Sequence, residues 1–150
     1  MRTISGIDEL RSSVGEELGV SAWHDITQGR VDAFADATGD DYWIHVDPER
    51  AAASDLGGTI AHGLFTLSLG PMFTYSLLRF EGFSMTLNYG YEKVRFPAPL
   101  PTGSRVRMRS KLVEVTEVPG GAQASLLQTF EREGADKPVC VATSVLRFVS

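Results

Sequence analysis

Asp40 and His45 lie five residues apart, immediately after a glycine that is placed to end a helix. On a continuous helix these side chains would point about 140° apart, so a helix is the wrong scaffold for the pair. A turn after Gly39 could bring both toward one point. An imidazole beside a carboxylate suits the holding and deprotonation of a water molecule, because histidine titrates near neutral pH. A short polar turn with these residues is also common without any catalytic role.

A second candidate feature is the glycine-rich segment 57–63, which leads into an apolar stretch. The first N–H groups of a helix have no partner inside the helix and favour negative charge. Because Gly63 has no side chain, a substrate oxygen could approach its backbone closely. The alternative is that the glycines only permit a tight turn and close packing. His62 fits either a hydrogen bond that shapes this turn or a purely structural role, and the structural role is the one we favour.

The element that must position Gly63 is an uncharged stretch from Ala61 to Leu78. Its length of roughly 18 residues is at the lower limit for a transmembrane helix. Its histidine, glycine, proline and hydroxyl residues argue against that reading, and the chain has no second hydrophobic segment. We therefore expect a buried helix, apolar on nearly every side and held by a sheet, with no membrane contact. Pro71 is expected to kink or divide it.

Before this helix, local signals predict shorter elements. Thr27 is expected to cap a helix over Gln28–Thr38, and Gly39 to end it. Asp47 and Pro48 indicate the start of another short helix, which runs through Ala53. Weaker patterns predict a short helix over 7–14 and a strand over 20–26.

After the central helix, apolar residues alternate with polar ones. This periodicity predicts four long strands: Phe83–Phe96, Ser104–Val118, Ala122–Glu133 and Val139–Val149. Their connections are too short for parallel crossovers, so we expect antiparallel pairing. Helices first and strands afterwards indicate an α+β domain whose sheet covers the central helix.

Composition sets limits on the class of protein. The 150 residues suit one domain, 1–150. A net charge of −5 argues against a nucleic-acid partner, which requires a basic surface. The single cysteine, Cys140, cannot form an intrachain disulfide and fits a reducing compartment. Since the first residues lack an apolar signal core, we expect a cytoplasmic protein.

A local basic strip stands out in this acidic chain. Arg105, Arg107, Arg109 and Lys111 alternate along one predicted strand and therefore share one face. They could contact phosphates, because guanidinium groups bind phosphate well. A solvated sheet face is the alternative, and the one we favour.

Several segments together resemble a known family. They are Phe34–Asp40, Ile44–Asp47, Ile60–Gly63, Asn88–Gly90 and Lys93–Pro99. In order and spacing they look like the (R)-specific enoyl-CoA hydratases of the MaoC-like family, which have the hot-dog fold. The resemblance covers the chain from Thr27 to Gly103 and is strongest to the single-domain, nodulation-protein-N-like actinobacterial group.

The resemblance implies a curved antiparallel sheet wrapped around a long central helix, in a homodimer whose two sheets join edge to edge. It implies that Asp40 and His45 form a dyad that activates water for addition to carbon 3 of a trans-2-enoyl-CoA, giving a (3R)-hydroxyacyl-CoA. The thioester oxygen would lie against the N–H of Gly63, since donors fixed where charge develops contribute strongly to catalysis. Substrate-binding roles are implied or expected for His62, Asn88, Tyr89 and Arg95.

No cofactor is expected, because CoA is part of the substrate. We also expect no metal, on the premise that His24, His45 and His62 do not form a ligand-like cluster. One departure from the family concerns Tyr42 and Trp43, which stand where the common pattern has Asn-Pro. Bulky aromatics there could reshape the acyl pocket.

Two other functions are compatible with the same fold. One is an acyl-CoA thioesterase, and the other is a catalytically silent subunit that binds acyl-CoA. A dehydratase for carrier-protein substrates would place an acidic residue on the central helix, and the stretch from Ala61 to Leu78 contains none.

Overall fold

The computed structural model describes all 150 residues, Met1–Ser150. The first half contains β1 (Arg2–Ser5), α1 (Gly6–Ser12), β2 (Glu17–Val20), β3 (His24–Asp25), α2 (Gln28–Thr38), α3 (Trp43–Val46) and α4 (Pro48–Ala52). The second half contains α5 (Gly63–Ser68), α6 (Gly70–Leu77), β4 (Leu78–Glu81), β5 (Met85–Arg95), β6 (Arg105–Val118), β7 (Gly121–Arg132) and β8 (Cys140–Val149).

The main sheet is antiparallel throughout and has the strand order β2-β6-β7-β8-β5, with β3 pairing β6 beside β2. The four long predicted strands are therefore confirmed as β5 to β8. The α5–α6 segment packs on the sheet, and Phe65, Leu69 and Phe73 are buried against core residues such as Met108 and Phe130. This confirms the expected α+β architecture.

The strand predicted over 20–26 is instead two short strands. Between them, the N–H of Ser21 donates to the carbonyl of Met108 at 2.9 Å, and the N–H of Met108 donates to the Ser21 hydroxyl at 2.9 Å. The side-chain oxygen takes the place of a backbone acceptor at this point. The strand is consequently interrupted between β2 and β3.

A small parallel sheet was not predicted. It pairs β1 with β4, so the start of the chain lies beside the residues that follow α6. Ile4 and Leu78 enter a second apolar cluster with Leu10 and Phe148. This cluster closes the end of the sheet that lies away from the start of α5.

The central helix is divided, as the proline predicted. Leu69 separates α5 from α6, and Pro71 lies in the first turn of α6, where its missing N–H costs no helical hydrogen bond. The expectation of burial on nearly every side was wrong. Leu64 is 61% exposed and Tyr75 is 70% exposed, because only one face of the helices meets the sheet. None of the helices has the length and apolar character needed to cross a membrane.

Candidate active site

Asp40 follows the end of α2, whose boundaries match the sequence prediction. Thr27 caps the helix by accepting from the N–H of Arg30 at 3.3 Å, and Gly39 ends it with a left-handed φ of 79°. Asp40 thus leaves the helix axis at a turn, and its side chain is 52% exposed.

His45 lies in α3, a four-residue helical turn that the sequence analysis treated as an irregular turn. The end of α3 is held by Gln28, whose amide nitrogen donates to the carbonyl of His45 at 2.7 Å. Thr59 in turn donates to the amide oxygen of Gln28 at 2.5 Å. The backbone that carries the imidazole is therefore tied to both α2 and the segment before α5.

The tautomer of His45 follows from its hydrogen bond. Nδ1 lies 2.7 Å from the carbonyl oxygen of Ile60. A carbonyl only accepts, so Nδ1 carries the proton and the neutral ring has a free lone pair on Nε2. A histidine in this state can take a proton from a water molecule.

His62 lies directly on His45. The two ring centroids are 3.8 Å apart and the planes differ by 24°. His62 Nε2 donates to the backbone carbonyl of Asp40 at 2.8 Å, and its Nδ1 is buried without a hydrogen-bond partner. One imidazole thus touches both members of the predicted dyad.

Gly63 is the first residue of α5, and its N–H has no backbone hydrogen-bond partner. The space beside its Cα is filled by the ring of Phe96, whose atoms lie 2.9 Å from where a Cβ would stand. Close packing, the alternative reading of this glycine, is therefore present in the structure. A free N–H for a substrate oxygen is present at the same residue.

A cavity of about 280 Å³ adjoins these groups and has a mainly apolar lining. It is bordered by His45, Ile60, Ala61, Gly63, Thr66, Phe96, Ala98, Pro99, Leu100 and Val139. Its size is near the lower end of typical small-molecule pockets, roughly 300–1,000 Å³. The residues of its far wall were not predicted, although Pro97, Pro99 and Pro101 indicate a stiff connection after Phe96.

Asp40, His45 and His62 each place one donor atom within 4.8 Å of the other two. The premise that the histidines do not cluster was therefore wrong for two of them, while His24 lies elsewhere, beside Phe73. Each clustered histidine already uses one ring nitrogen for a backbone carbonyl, and the rings are stacked. A tetrahedral metal site needs ring nitrogens that converge on one point at about 2.0 Å, which stacked rings do not offer.

The other predicted binding residues do not border this cavity within the protomer. Asn88 lines a separate groove of about 270 Å³ with Tyr75 and Gln128. Tyr89 is 62% exposed beside a bulge in β5, with the guanidinium of Arg147 4.8 Å from its ring centre. The exposed Arg95 donates to the carbonyl of its neighbour, Val94, at 2.8 Å.

The arginines of the basic strip are paired with carboxylates. Arg105 binds Glu133, Arg107 binds Glu131, and Arg109 binds both Glu131 and Glu17. We call these residues the arginine ladder. Burial would raise the pKa of Glu131, but hydrogen bonds from Arg107 and Arg109 hold it below its ordinary value. This arrangement fits the solvated sheet face that the sequence analysis favoured.

Comparisons with known proteins agree with this architecture. A family model described as "MaoC like domain" matches residues 9–129. The chain is 51% identical to the 3-hydroxyacyl-thioester dehydratase Z of Mycobacterium tuberculosis, over 100% of both chains. It is 43% identical to nodulation protein N of Rhizobium meliloti, over 91% of this chain and 86% of that protein.

Among solved structures, the R-hydratase PhaJ1 from Pseudomonas aeruginosa superimposes with a TM-score of 0.74 at 21% identity, over 91% of this chain and 82% of that one. This likeness supports the expected hot-dog fold. The family match and the full-length relative show that the chain belongs to the MaoC-like dehydratase family.

Proposed function

We propose that this protein is a hydro-lyase of the 3-hydroxyacyl-thioester dehydratase class. The full-length relative from Mycobacterium tuberculosis bears that name. The observation that carries the proposal is the placement of His45, whose ring clusters with the Asp40 carboxylate and borders an apolar cavity while its Nδ1 is held by the Ile60 carbonyl.

More specifically, we propose reversible addition of water to a trans-2-enoyl-CoA, giving a (3R)-hydroxyacyl-CoA. A single water can bridge two groups up to about 5 Å apart, since each hydrogen bond spans about 2.8 Å. A carboxylate oxygen of Asp40 and a ring nitrogen of His45 lie within that range, at no more than 4.8 Å. The water held between them loses a proton to the dyad as its oxygen bonds carbon 3, and the dyad returns a proton to carbon 2.

During this step negative charge develops on the thioester oxygen. The unpaired N–H of Gly63 borders the same cavity as His45 and is proposed to donate to that oxygen. The acyl group would occupy the cavity, where Phe96 and Val139 form apolar walls. Its volume of about 280 Å³ favours short acyl groups unless Phe96 moves.

CoA recognition requires cations that are free to bind phosphate. The three ladder arginines are already paired, which argues against them. Arg95 makes no ion pair with a carboxylate and immediately precedes Phe96 in the cavity wall, so it is our candidate for a phosphate contact.

The activity test follows the loss of conjugated enoyl-thioester absorbance with trans-2-enoyl-CoAs of increasing length, and determines the configuration of the product. We expect turnover on short chains with a (3R) product. Release of free CoA from saturated acyl-CoA would instead indicate a thioesterase. Binding of acyl-CoA without turnover at any chain length would indicate a silent subunit.

We also propose a homodimer joined through β5. This strand ends the sheet, has no partner on its outer edge and exposes Met85, Leu87 and Tyr89. The groove beside it is also lined by the exposed Tyr75 of α6, so the edge and the open helix face form one surface.

Light scattering tests the dimer. We expect a dimer for the wild type and a larger monomer fraction for Leu87→Lys, because a buried lysine at a joined edge is unfavourable. Val113→Lys is the control, since Val113 is similarly exposed but lies on β6. A monomeric wild type at micromolar concentration would contradict the proposal.

A further inference from the structure

We propose that His62 is a positioning residue for the dyad, which it fixes through a hydrogen bond to Asp40 and a ring stack on His45. This inference rests on the proposed function, since it requires that Asp40 and His45 carry the reaction. His62 is 3% exposed and does not border the cavity, so it acts through its neighbours and does not touch substrate.

The first contact anchors Asp40. The Nε2–H of His62 donates to the Asp40 carbonyl at 2.8 Å across a separation of 22 residues. Asp40 has little other support, because it lies outside a helix and its own N–H reaches the Thr38 hydroxyl only at 3.4 Å. The bond from His62 therefore fixes the backbone from which the carboxylate projects, and a carboxylate oxygen lies 4.0 Å from the same nitrogen.

The second contact orients His45. One face of the His62 ring stacks on His45 at 3.8 Å, and Phe34 packs on the ring of His62 at 4.9 Å. Phe34 also meets Phe65 of α5 at 5.6 Å, which ties the stack to the central helix. His62 thus links both members of the dyad to the central helix.

The unused nitrogen of His62 argues against a purely structural role. Nδ1 is buried and has no hydrogen-bond partner, and such atoms are unfavourable in a protein interior. An apolar ring would fill the same space without that penalty. The presence of an imidazole is explained by its other nitrogen, which donates to the Asp40 carbonyl.

The test compares His62→Phe, which keeps an aromatic ring but loses the N–H, with His62→Gln, which keeps an N–H donor. We expect His62→Phe to lower kcat by about 10-fold to 100-fold with little change in KM, because small misplacements of catalytic groups have effects of this size. The melting temperature should change little, since the unpartnered nitrogen is lost together with the hydrogen bond. His62→Gln restores the N–H but lacks the ring that stacks on His45, so it should recover kcat only in part.

A matched control is His24→Phe, which replaces another partly buried histidine located beside Phe73 and away from the cavity. We expect no change in kcat for this variant. A fall in kcat equal to that of His62→Phe would show a general effect on the fold and would overturn the inference.

A double-mutant cycle separates positioning from an independent role. If His62 acts through Asp40, the change His62→Phe has little further effect on kcat in the Asp40→Asn background. Losses that multiply would overturn the inference, as would full kcat in a folded His62→Phe protein. The single variant Asp40→Asn tests the proposed function separately. If its kcat equalled that of the wild type, the proposed function would be wrong, and the inference that rests on it would be wrong as well.

Discussion

The arginine ladder differs from the site around the dyad in whether its polar groups are paired. We call that site, which consists of Asp40, His45, His62 and Gly63, the dyad corner. On the ladder, every arginine has a carboxylate partner, which lies on a neighbouring strand or directly after its end. At the corner, the Gly63 N–H lacks a backbone partner, His62 Nδ1 has no partner and His45 Nε2 carries a free lone pair.

This difference separates charges that support the sheet from the residues His45 and Gly63, which border the cavity and are available to a substrate. Exposed ion pairs contribute little to stability, typically about 0–1 kcal/mol each, so the ladder is expected to have only a modest effect on folding. Unpaired groups beside an apolar cavity can instead bind an incoming molecule. Changes at the corner should therefore mainly affect activity, and changes on the ladder should mainly affect stability.

The largest combined effect is expected for Gly63→Ala. Its new Cβ would lie 2.9 Å from ring atoms of Phe96, so the ring must move at the cavity wall. We expect kcat/KM to fall by about 100-fold, because the added methyl group and the displaced ring misplace the substrate, and stability to fall by about 1–3 kcal/mol. Enoyl-thioester kinetics and thermal unfolding measure the two effects.

Gly58→Ala is the control for this substitution, because nothing lies within 4 Å of its Cβ position and its backbone is not left-handed. Wild-type kinetics for Gly63→Ala would contradict the claim that Phe96 is packed too closely against this residue to admit a side chain without disturbing the cavity wall.

A smaller effect is expected on the ladder for Glu131→Gln. The folded-state pKa of Glu131 lies below its ordinary value of 4.5, so its contribution to stability is present above that value and is lost as the pH falls through the folded-state pKa. We expect the free energy of unfolding at pH 7 to fall by up to about 1 kcal/mol and kcat to stay unchanged. Denaturant titrations between pH 2 and pH 7, roughly the range of carboxyl titration, measure this.

Glu114→Gln provides the comparison for Glu131→Gln, because Glu114 is exposed and belongs to none of the ion pairs of the ladder. A loss of kcat in Glu131→Gln would contradict the proposal that changes on the arginine ladder mainly affect stability.

The smallest expected effect concerns Cys140, which adjoins Val139 in the cavity wall. Burial raises the pKa of its thiol to about 12, so the group is both protonated and inaccessible. We expect no reaction of the native protein with a chromogenic disulfide near neutral pH, and one reactive thiol after unfolding in denaturant. Rapid labelling of the native protein would place a usable nucleophile near the cavity and favour thioesterase chemistry.

The parts of the fold that depend on local signals could be predicted from the sequence. Thr27 and Gly39 bound α2 through contacts within one turn, and alternating residues define β5 to β8. The parallel pair β1 and β4 could not be predicted, because its partners are far apart along the chain. The short α3 was missed because Tyr42 provides no side-chain cap to mark its start.

The candidate site could also be predicted only in part. The family resemblance indicated Asp40, His45 and Gly63, but no sequence pattern gives the orientation of a side chain. The stack of His62 on His45 and the placement of Phe96 against Gly63 depend on how distant segments pack. Asn88 was expected to bind substrate, yet it lies in a different groove within the protomer.

The most direct test of the central claim measures kcat on a short trans-2-enoyl-CoA and the melting temperature for three variants: Asp40→Asn, His45→Gln and Arg107→Gln. We expect either dyad change to lower kcat by at least about 100-fold, the size of general acid–base contributions, with little change in stability. Arg107→Gln, which breaks a ladder pair, should retain kcat. Turnover that survives both dyad substitutions would contradict the account and place the chemistry elsewhere.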